Sequence, residues 1–286
     1  MRYFYFTGCV TPYRCSNYDL ATRQTMERLD VELVEAVDAG CCGIYIQEVD
    51  ELKALALSAR IWAMAEEREL DILSPCPGCV STLTTARNRL NAEPELKQKV
   101  NRILSTIGRE FRGTRQVKHP LRVLEEDIGL ETIAERISHP LQAEVAAHYG
   151  CHLVRPAHEL LFDDPEEPQI LDHLIEVTGA RAVHYYDKMG CCGMNAHGND
   201  AVRYLLSGQK LINAREAGAR AVILGCPACY LALGLNQSLV EKAWRAKFAL
   251  PVLHYPQLLG LALGLRPQEV GLHQNRPAVD PAIFGL

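Results

Sequence analysis

The sequence predicts an α/β protein built from two similar halves, each a small parallel sheet with helices on its faces. Three observations support this fold class. A cysteine pattern in the first half recurs in the second, short apolar runs precede each cysteine motif, and helical periodicity lies between the runs. At 286 residues, the chain is long enough for one large domain or two fused small ones.

Ten of the eleven cysteines form two matching groups of five. The first group reads C-x31-CC-x33-C-x2-C, and the second reads C-x39-CC-x33-C-x2-C. Each doublet lies between glycines, as GCCGI and GCCGM, and each later pair contains proline, as CPGC and CPAC. A match of this length indicates an internal duplication. The groups are Cys9, Cys41, Cys42, Cys76 and Cys79, and Cys151, Cys191, Cys192, Cys226 and Cys229.

Each half reads as strand, cysteine, helix, strand, CCG, helix, strand, CPxC and helix. The predicted strands are residues 3–6, 31–37, 70–73, 145–149, 180–186 and 221–224, and the clearest helices are 52–69 and 201–217. Strands that alternate with helices imply a parallel sheet with crossover connections, which is a Rossmann-like arrangement. Since every cysteine motif follows a strand, the five sulfurs of each half are expected to converge at the carboxyl edge of its sheet.

The segment between the repeats has mixed-charge helical patterns and no cysteine motif. We therefore divide the chain into a first repeat at residues 1–87, a helical connector at 88–140 and a second repeat at 141–286. Two interpretations of the connector remain open. It docks on a partner, or it is a solvated linker that covers one sheet face.

Composition excludes several classes of protein. The formal net charge of −5 argues against nucleic-acid binding, which requires clustered Lys and Arg. No apolar run reaches the roughly 18 residues that a membrane-spanning helix needs. The start, MRYFYFTGCV, does not resemble a signal peptide. We therefore expect a cytoplasmic location, where disulfides do not persist and cysteines in this number indicate metal or redox chemistry.

Five cysteines per group favour an iron–sulfur cluster. A structural zinc site and a cubane [4Fe–4S] cluster each need only four ligands. Adjacent cysteines do not easily both reach one tetrahedral ion, so a fifth thiolate would bridge metals or remain beside the cluster. Zinc binding and metal-free thiol redox chemistry are the alternatives.

The doubled pattern resembles the CCG-domain family, and within it the B subunits of heterodisulfide reductases, over nearly the whole chain. The resemblance implies two noncubane [4Fe–4S] clusters, one held by each group of five cysteines. It also implies a C-type iron–sulfur subunit and an A-type flavoprotein subunit (HdrC-like and HdrA-like) as partners. The chain lacks the C-x2-C-x2-C-x3-C run of fused relatives, so its electrons would come from such a partner.

The implied activity is reduction of a disulfide, or oxidation of thiols in the reverse direction. Two facing iron sites could each supply one electron and capture one departing sulfur. The substrate would be a thiol-coenzyme heterodisulfide or a sulfur-bearing carrier. The resemblance also allows an electron-transfer subunit of a succinate dehydrogenase or fumarate reductase, and a non-catalytic metal-bound scaffold is a third possibility. The candidate catalytic residues are Cys9, Cys41, Cys42, Cys151, Cys191, Cys192 and His152.

The remaining candidates each have a second interpretation. His152, His148 and His197 lie near cysteine motifs and are candidate proton donors, although a histidine in such a loop can simply be hydrogen-bonded. Lys188 is either a group that binds an acidic substrate or a solvated lysine. Cys15 is a buried spectator or a substrate-facing thiol. The run LLGLALGL at 258–265 predicts a core helix or a patch that faces a membrane or partner.

Overall fold

The computed structural model describes residues 1–196 and 198–286. The strands of its two parallel sheets are β1 Arg2–Tyr5, β2 Glu32–Glu35, β3 Ile72–Leu73 and β4 Val117–Lys118, then β5 Glu144–His148, β6 Arg181–Ala182, β7 Ala221–Leu224 and β8 Val252–His254. The first sheet has the order β2-β1-β3-β4, and the second has the equivalent order β6-β5-β7-β8. The predicted α/β class with two repeated parallel sheets is confirmed.

Helices connect the strands and cover the sheets. The α-helices are α1 Thr11–Arg14, α2 Ser16–Arg28, α3 Glu51–Glu67, α4 Pro77–Ala92, α5 Pro94–Ser105, α6 Pro120–Arg122, α7 Leu130–Arg136, α8 Cys151–Val154, α9 Ala157–Leu160, α10 Ile170–Val177, α11 Asp200–Glu216, α12 Pro227–Tyr230, α13 Gln237–Trp244 and α14 Tyr255–Ala262. Two π-helical turns, Val123–Ile128 and Leu231–Leu235, continue α6 and α12. Two 3₁₀ turns, Leu272–Gln274 and Pro281–Phe284, lie near the end of the chain.

The two sheets share a register as well as an order. Phe4 of β1 lies opposite Ile72 of β3, and Ala146 of β5 lies opposite Val222 of β7. These residues are almost completely buried. Apolar strands of this kind are typical of parallel sheets that are covered on both faces. The six predicted strand positions all contain strands. The strand at 221–224 has the predicted bounds, and each of the others is shorter than the prediction or displaced by one residue.

The segment 88–140 contributes to the first half instead of only linking it to the second. Its two-residue strand β4 pairs with β3, which adds a fourth strand that the sequence did not predict. Val100, Leu104 and Phe111 are buried in the core of the first half, so this part is not a solvated linker. The division at residues 87 and 140 stays a prediction.

One apolar core extends across both halves. It contains Tyr5 and Leu73 from the first sheet and Val145 and Ile223 from the second. Residues of α6, α7 and α14 join the same core. The two sheets are therefore packed against shared apolar side chains, which holds their carboxyl edges in a fixed relation to each other.

The run at 258–265 forms most of α14 and lies in this shared core. Leu258, Leu259 and Leu261 are at most 1% exposed, and α14 packs on α2. The prediction of a core helix is confirmed, and the alternative of a membrane-facing patch is wrong because these side chains are not accessible. Among the described residues, we find no helix that is both long and apolar enough to cross a membrane.

Candidate functional site

The cysteines of the first half lie in the turns at the carboxyl edge of the first sheet. They are Cys9 after β1, Cys41 and Cys42 after β2, and Cys76 and Cys79 at the start of α4 after β3. The turn after β1 passes directly over the sulfur of Cys79. At Gly8, where φ is +69°, an added Cβ would lie 2.9 Å from that sulfur, so glycine lets the backbone approach it closely.

The second half repeats this arrangement. Its cysteines are Cys151 after β5, Cys191 and Cys192 after β6, and Cys226 and Cys229 at the start of α12 after β7. Gly150 is the equivalent of Gly8. Its φ is +78°, and an added Cβ would lie 3.4 Å from the sulfur of Cys229. The structure thus brings each predicted group of five cysteines to one sheet edge.

The doublet loops have the same hydrogen bonds in both halves. The glycine after each doublet donates its N–H to the sulfur of the first cysteine at 3.3 Å. A serine of the following helix, Ser58 or Ser207, donates its hydroxyl to the carbonyl oxygen of the second cysteine at 2.6 or 2.7 Å. These bonds hold the sulfur of the first cysteine against the loop backbone and the carbonyl group of the second cysteine against α3 or α11.

Gly193→Ala is expected to release metal from the second half. At Gly193, φ is +90° and an added Cβ would lie 2.5 Å from the carbonyl oxygen of Arg203, so the loop must move away from α11. We expect a loss of about 2–4 kcal/mol in stability and loss of metal from the second group. Gly129→Ala is the matched control, because Gly129 has φ +85° and nothing within 4 Å of its added Cβ. Equal metal content in the two variants would contradict this expectation.

The thiols of the first half are close enough to shift one another's ionisation. Hydrogen bonds from the thiols of Cys41 and Cys79 lower the pKa of Cys42 to about 4. The same bonds raise the pKa values of Cys41 and Cys79. A hydrogen bond from Cys79 also lowers the pKa of Cys76, with help from backbone N–H groups at the start of α4. Burial, and then the charges of Cys42 and Cys76, raise the pKa of Cys9.

The second half shows the same electrostatics. Hydrogen bonds from Cys191 and Cys229 hold the pKa of Cys192 well below its usual range. Burial raises the pKa of Cys151, and the charges of Cys192 and Cys226 raise it further. Five sulfurs in such proximity cannot all be thiolates without a cation between them. The donor set of each half therefore fits a soft, multinuclear metal group, because soft thiolates select iron–sulfur clusters, Zn or Cu(I).

Cysteines of both groups line a single cleft between the halves. Eight of the ten motif cysteines line this cleft, namely Cys9, Cys76, Cys79, Cys151, Cys191, Cys192, Cys226 and Cys229. Cys41 and Cys42 are not among the residues that line it. Val10, Ile44 and Met194 add apolar walls. The two groups therefore face each other across one cleft.

His152 belongs to the second repeat but reaches the first group of cysteines. It lines the cleft, and an added Cβ on Gly78 of the CPGC turn would lie 3.6 Å from its Nδ1 atom. Burial lowers the pKa of His152, while the nearby charge of Cys192 opposes that shift. The ring is therefore placed at the junction of the two groups, where it can approach a molecule in the cleft.

His148 lies deeper, at the end of β5, and is 2% exposed. One ring nitrogen of His148 and the sulfurs of Cys192 and Cys229 all lie within 4.8 Å of one another. Neither ring nitrogen has a hydrogen-bond partner among the described residues. Burial lowers the pKa of this histidine, so the ring is neutral near pH 7. An orphaned buried imidazole beside two thiols fits a site that holds a metal group.

The structure separates the other candidates from the cleft. Lys188 does not line the cleft. It is not a solvated lysine either, because its ammonium group pairs with Asp172 at 2.6 Å and its side chain is 14% exposed. Cys15 is completely buried, with its sulfur 3.7 Å from the carbonyl oxygen of Pro227, which agrees with the buried-spectator interpretation. His197 lies outside the described residues.

A buried histidine that the sequence pattern did not reveal joins the two halves behind the cysteines. Nε2 of His119 is 2.8 Å from the carbonyl oxygen of Gly225 and 3.2 Å from that of Pro75. These two residues directly precede Cys226 and Cys76. The hydroxyl of Tyr18 also donates to the Gly225 carbonyl, at 3.1 Å. His119 therefore links the two CPxC turns and fixes the distance between them.

The link is completed by aromatic stacking. The ring of His254 stacks on that of Tyr18 with their centroids 3.9 Å apart. His119 directly follows β4 and His254 ends β8, and these are the equivalent fourth strands of the two sheets. The sequence gives little sign of this link, because His254 ends the apolar run PVLH whereas His119 follows Lys118, and neither pattern by itself indicates an interface.

Comparison with protein families matches this chain twice to the family described as CCG, cysteine-rich domain, at residues 3–84 and 145–234. The two matched regions contain all ten motif cysteines. The chain is also similar in fold to a hypothetical protein from Helicobacter pylori, with a TM-score of 0.76 and 15% identity. That alignment covers 98% of this chain and 52% of the other.

Several curated proteins are similar over nearly the whole chain. The B subunit of the ferredoxin/F420H2-dependent CoB-CoM heterodisulfide reductase of Methanosarcina acetivorans is 38% identical, over 94% of this chain and 92% of its own length. The B subunit of the ferredoxin:CoB-CoM heterodisulfide reductase of Methanosarcina mazei is 37% identical over the same shares. The 8-methylmenaquinol:fumarate reductase membrane anchor subunit of Wolinella succinogenes is 32% identical, over 95% of each chain. These relatives support an iron–sulfur redox role.

Proposed function

We propose, on the premise that this chain belongs to the family of cysteine-rich CCG domain proteins, that it is the iron–sulfur subunit at which a heterodisulfide-reductase-type complex reduces a disulfide. The observation that carries this proposal is the shared cleft. Cysteines of both groups, from two equivalent sheet edges, line one cleft. A site with two facing centres suits a reaction that needs two electrons and separates two sulfurs.

The proposed reaction conserves atoms, electrons and charge. A disulfide R–S–S–R′ takes up two electrons and two protons, its S–S bond breaks, and RSH and R′SH form. The electrons come from a one-electron donor protein. In the reverse direction, two thiols lose two protons and two electrons to the same partner.

We assign one [4Fe–4S] cluster of the noncubane type to each group of cysteines. Cys9, Cys41, Cys42, Cys76 and Cys79 would hold the first, and Cys151, Cys191, Cys192, Cys226 and Cys229 the second. Such clusters supply electrons and a Lewis-acidic iron that stabilises a departing sulfur. The mutual pKa shifts of the thiols support this assignment, because they require the sulfurs of each group to be close together.

The chain's own side chains would bind the substrate and deliver protons. Val10, Ile44 and Met194 line the cleft and would exclude water from the separating sulfurs. His152 is the proposed proton donor, since its ring lies in the cleft beside the CPGC turn. Burial lowers the pKa of His152, which makes its protonated ring a stronger acid toward a thiolate as it leaves.

The proposed partners are a C-type iron–sulfur subunit and an A-type flavoprotein subunit. The names of the relatives as B subunits imply that further subunits exist in those complexes. The substrate would be a thiol-coenzyme heterodisulfide or a sulfur-bearing carrier.

The fumarate reductase subunit of Wolinella succinogenes supports a second candidate function, electron transfer to or from a quinone.

A single-turnover assay separates the disulfide reaction from electron transfer with a quinone. The anaerobic holoprotein is reduced, excess reductant is removed, and an unsymmetrical small disulfide or a water-soluble quinone is added. We expect the disulfide to oxidise the protein and to yield two thiols for every two electrons lost. Oxidation by the quinone alone would contradict the disulfide proposal and support the second candidate.

A further inference from the structure

The two cysteine groups differ at one buried position. His148 lies three residues before Cys151, and Phe6 lies three residues before Cys9. Both side chains follow or end the first strand of their sheet, and both are 2% exposed. The strands that carry them pair in the same register with β7 and β3. The second group therefore has an imidazole where the first has a benzene ring.

Within the described part of the protein, the side chain of His148 interacts with the thiol of Cys192, and no oxygen or nitrogen group hydrogen-bonds to it. Neither Nδ1 nor Nε2 of His148 meets a hydrogen-bond partner among the described residues. Burying an unpaired imidazole costs free energy, and buried polar groups in folded proteins nearly always have a partner. The nearest ligand-type atoms are the sulfurs of Cys192 and Cys229, which lie within 4.8 Å of a ring nitrogen.

We propose that His148 donates an N–H hydrogen bond to the Cys192 sulfur of the metal-bound second group and thereby makes that centre easier to reduce than the first. This inference rests on the proposed function, because it requires an iron–sulfur group at Cys192. Reduction adds negative charge that spreads onto the sulfur ligands. An N–H dipole directed at such a sulfur stabilises the added charge and raises the reduction potential.

Comparison with the first half favours a hydrogen bond from His148 over direct ligation of the metal group by His148. That half has the same five cysteines and only Phe6 at the equivalent position, so five sulfurs complete its donor set without a nitrogen. Since the doublet loops of both halves have the same hydrogen bonds, the second group has no vacancy that a nitrogen must fill. His148 and Phe6 therefore differ in their effect on the reduction potential of the centre beside them.

The test is a redox titration of the full-length holoprotein followed by EPR, with signals assigned to each half through single-half cysteine variants. In the unaltered protein we expect two midpoint potentials, the higher at the second group. His148→Phe, which copies the first half, should lower only the higher potential, by at least tenfold in the reduction equilibrium, or about 59 mV for one electron. Phe6→His should raise the potential of the first group.

His148→Gln keeps an N–H donor and should retain most of the higher potential, which separates hydrogen bonding from packing. Unchanged potentials in His148→Phe with full iron content would overturn the inference and leave the proposed function intact. Loss of iron in both His148→Phe and His148→Gln, or a strong ¹⁴N hyperfine coupling from a coordinated nitrogen, would also overturn it. Absence of iron from the unaltered protein would instead remove the proposed function itself.

Discussion

Cys192→Ser is expected to lose the metal of the second half, to keep that of the first and to abolish turnover. Cys192 is buried and holds the lowest pKa of its group, because the thiols of Cys191 and Cys229 donate to it. Serine replaces this thiolate with a hydroxyl that remains protonated and binds soft iron poorly. Loss of a metal that supplies several kcal/mol of transition-state stabilisation corresponds to at least about 10³-fold in rate.

Cys42→Ser is the equivalent variant in the first half and should lose the metal of that half only. Cys15→Ser is the control, because Cys15 is completely buried and does not line the cleft. Iron analysis, EPR and the disulfide assay of each variant are the measurements. Full iron content and activity in Cys192→Ser would show that its sulfur is not a ligand. Loss of all metal in both variants would contradict the assignment of separate sites to the two halves.

His119→Ala should have the largest effect on stability outside the cysteines. The change leaves the buried carbonyl groups of Pro75 and Gly225 without the ring nitrogen and creates a cavity between the halves. Such losses together destabilise a protein by about 3–5 kcal/mol. Anaerobic urea unfolding measures the effect, and His173→Ala on the exposed face of α10 is the control. A loss no larger than that of the control would show that the link has no structural role.

The same histidine gives the fold a defined dependence on pH. Burial lowers the pKa of His119 to about 4, whereas an unfolded histidine titrates near pH 6.5. The unfolded chain therefore binds the proton first, and stability is lost as the pH falls from about 6.5 toward 4. Between pH 7 and pH 5 the unaltered protein should lose about 2 kcal/mol more than His119→Ala. Parallel curves for the two proteins would contradict the assignment of a neutral buried ring.

The sequence predicted those parts of the fold that depend on local pattern. The apolar runs that form β1, β3, β5 and β7 are buried on both faces of a parallel sheet, and burial of this kind leaves a continuous apolar signal. The outer strands β2 and β6 are only partly buried or exposed. Strand β4 was missed because it has only two residues, Val117 and Lys118, which is too short for any periodicity. Its place is determined by pairing with β3, which is a tertiary contact.

The site was also predictable from the sequence where it depends on local pattern. The position of each cysteine after a strand indicated that five sulfurs would meet, since parallel strands end at a common edge. The facing of the two groups, and the link through His119, depend on how the halves pack against a shared core. The position of His148 near Cys151 makes it a candidate, but its significance lies in the contrast with Phe6, which emerges only when the two sheets are superposed in register.

Both groups of cysteines are expected to hold iron–sulfur clusters, and the proposed reaction and the proposed role of His148 depend on that occupancy. The most direct test is the content of iron and acid-labile sulfide in anaerobically purified protein, together with EPR. We predict about eight irons per chain, from two four-iron clusters, with matching sulfide and EPR signals that change when thiols are added. Stoichiometric zinc that persists after anaerobic reconstitution with iron and sulfide would contradict this prediction and make the cysteines a structural scaffold.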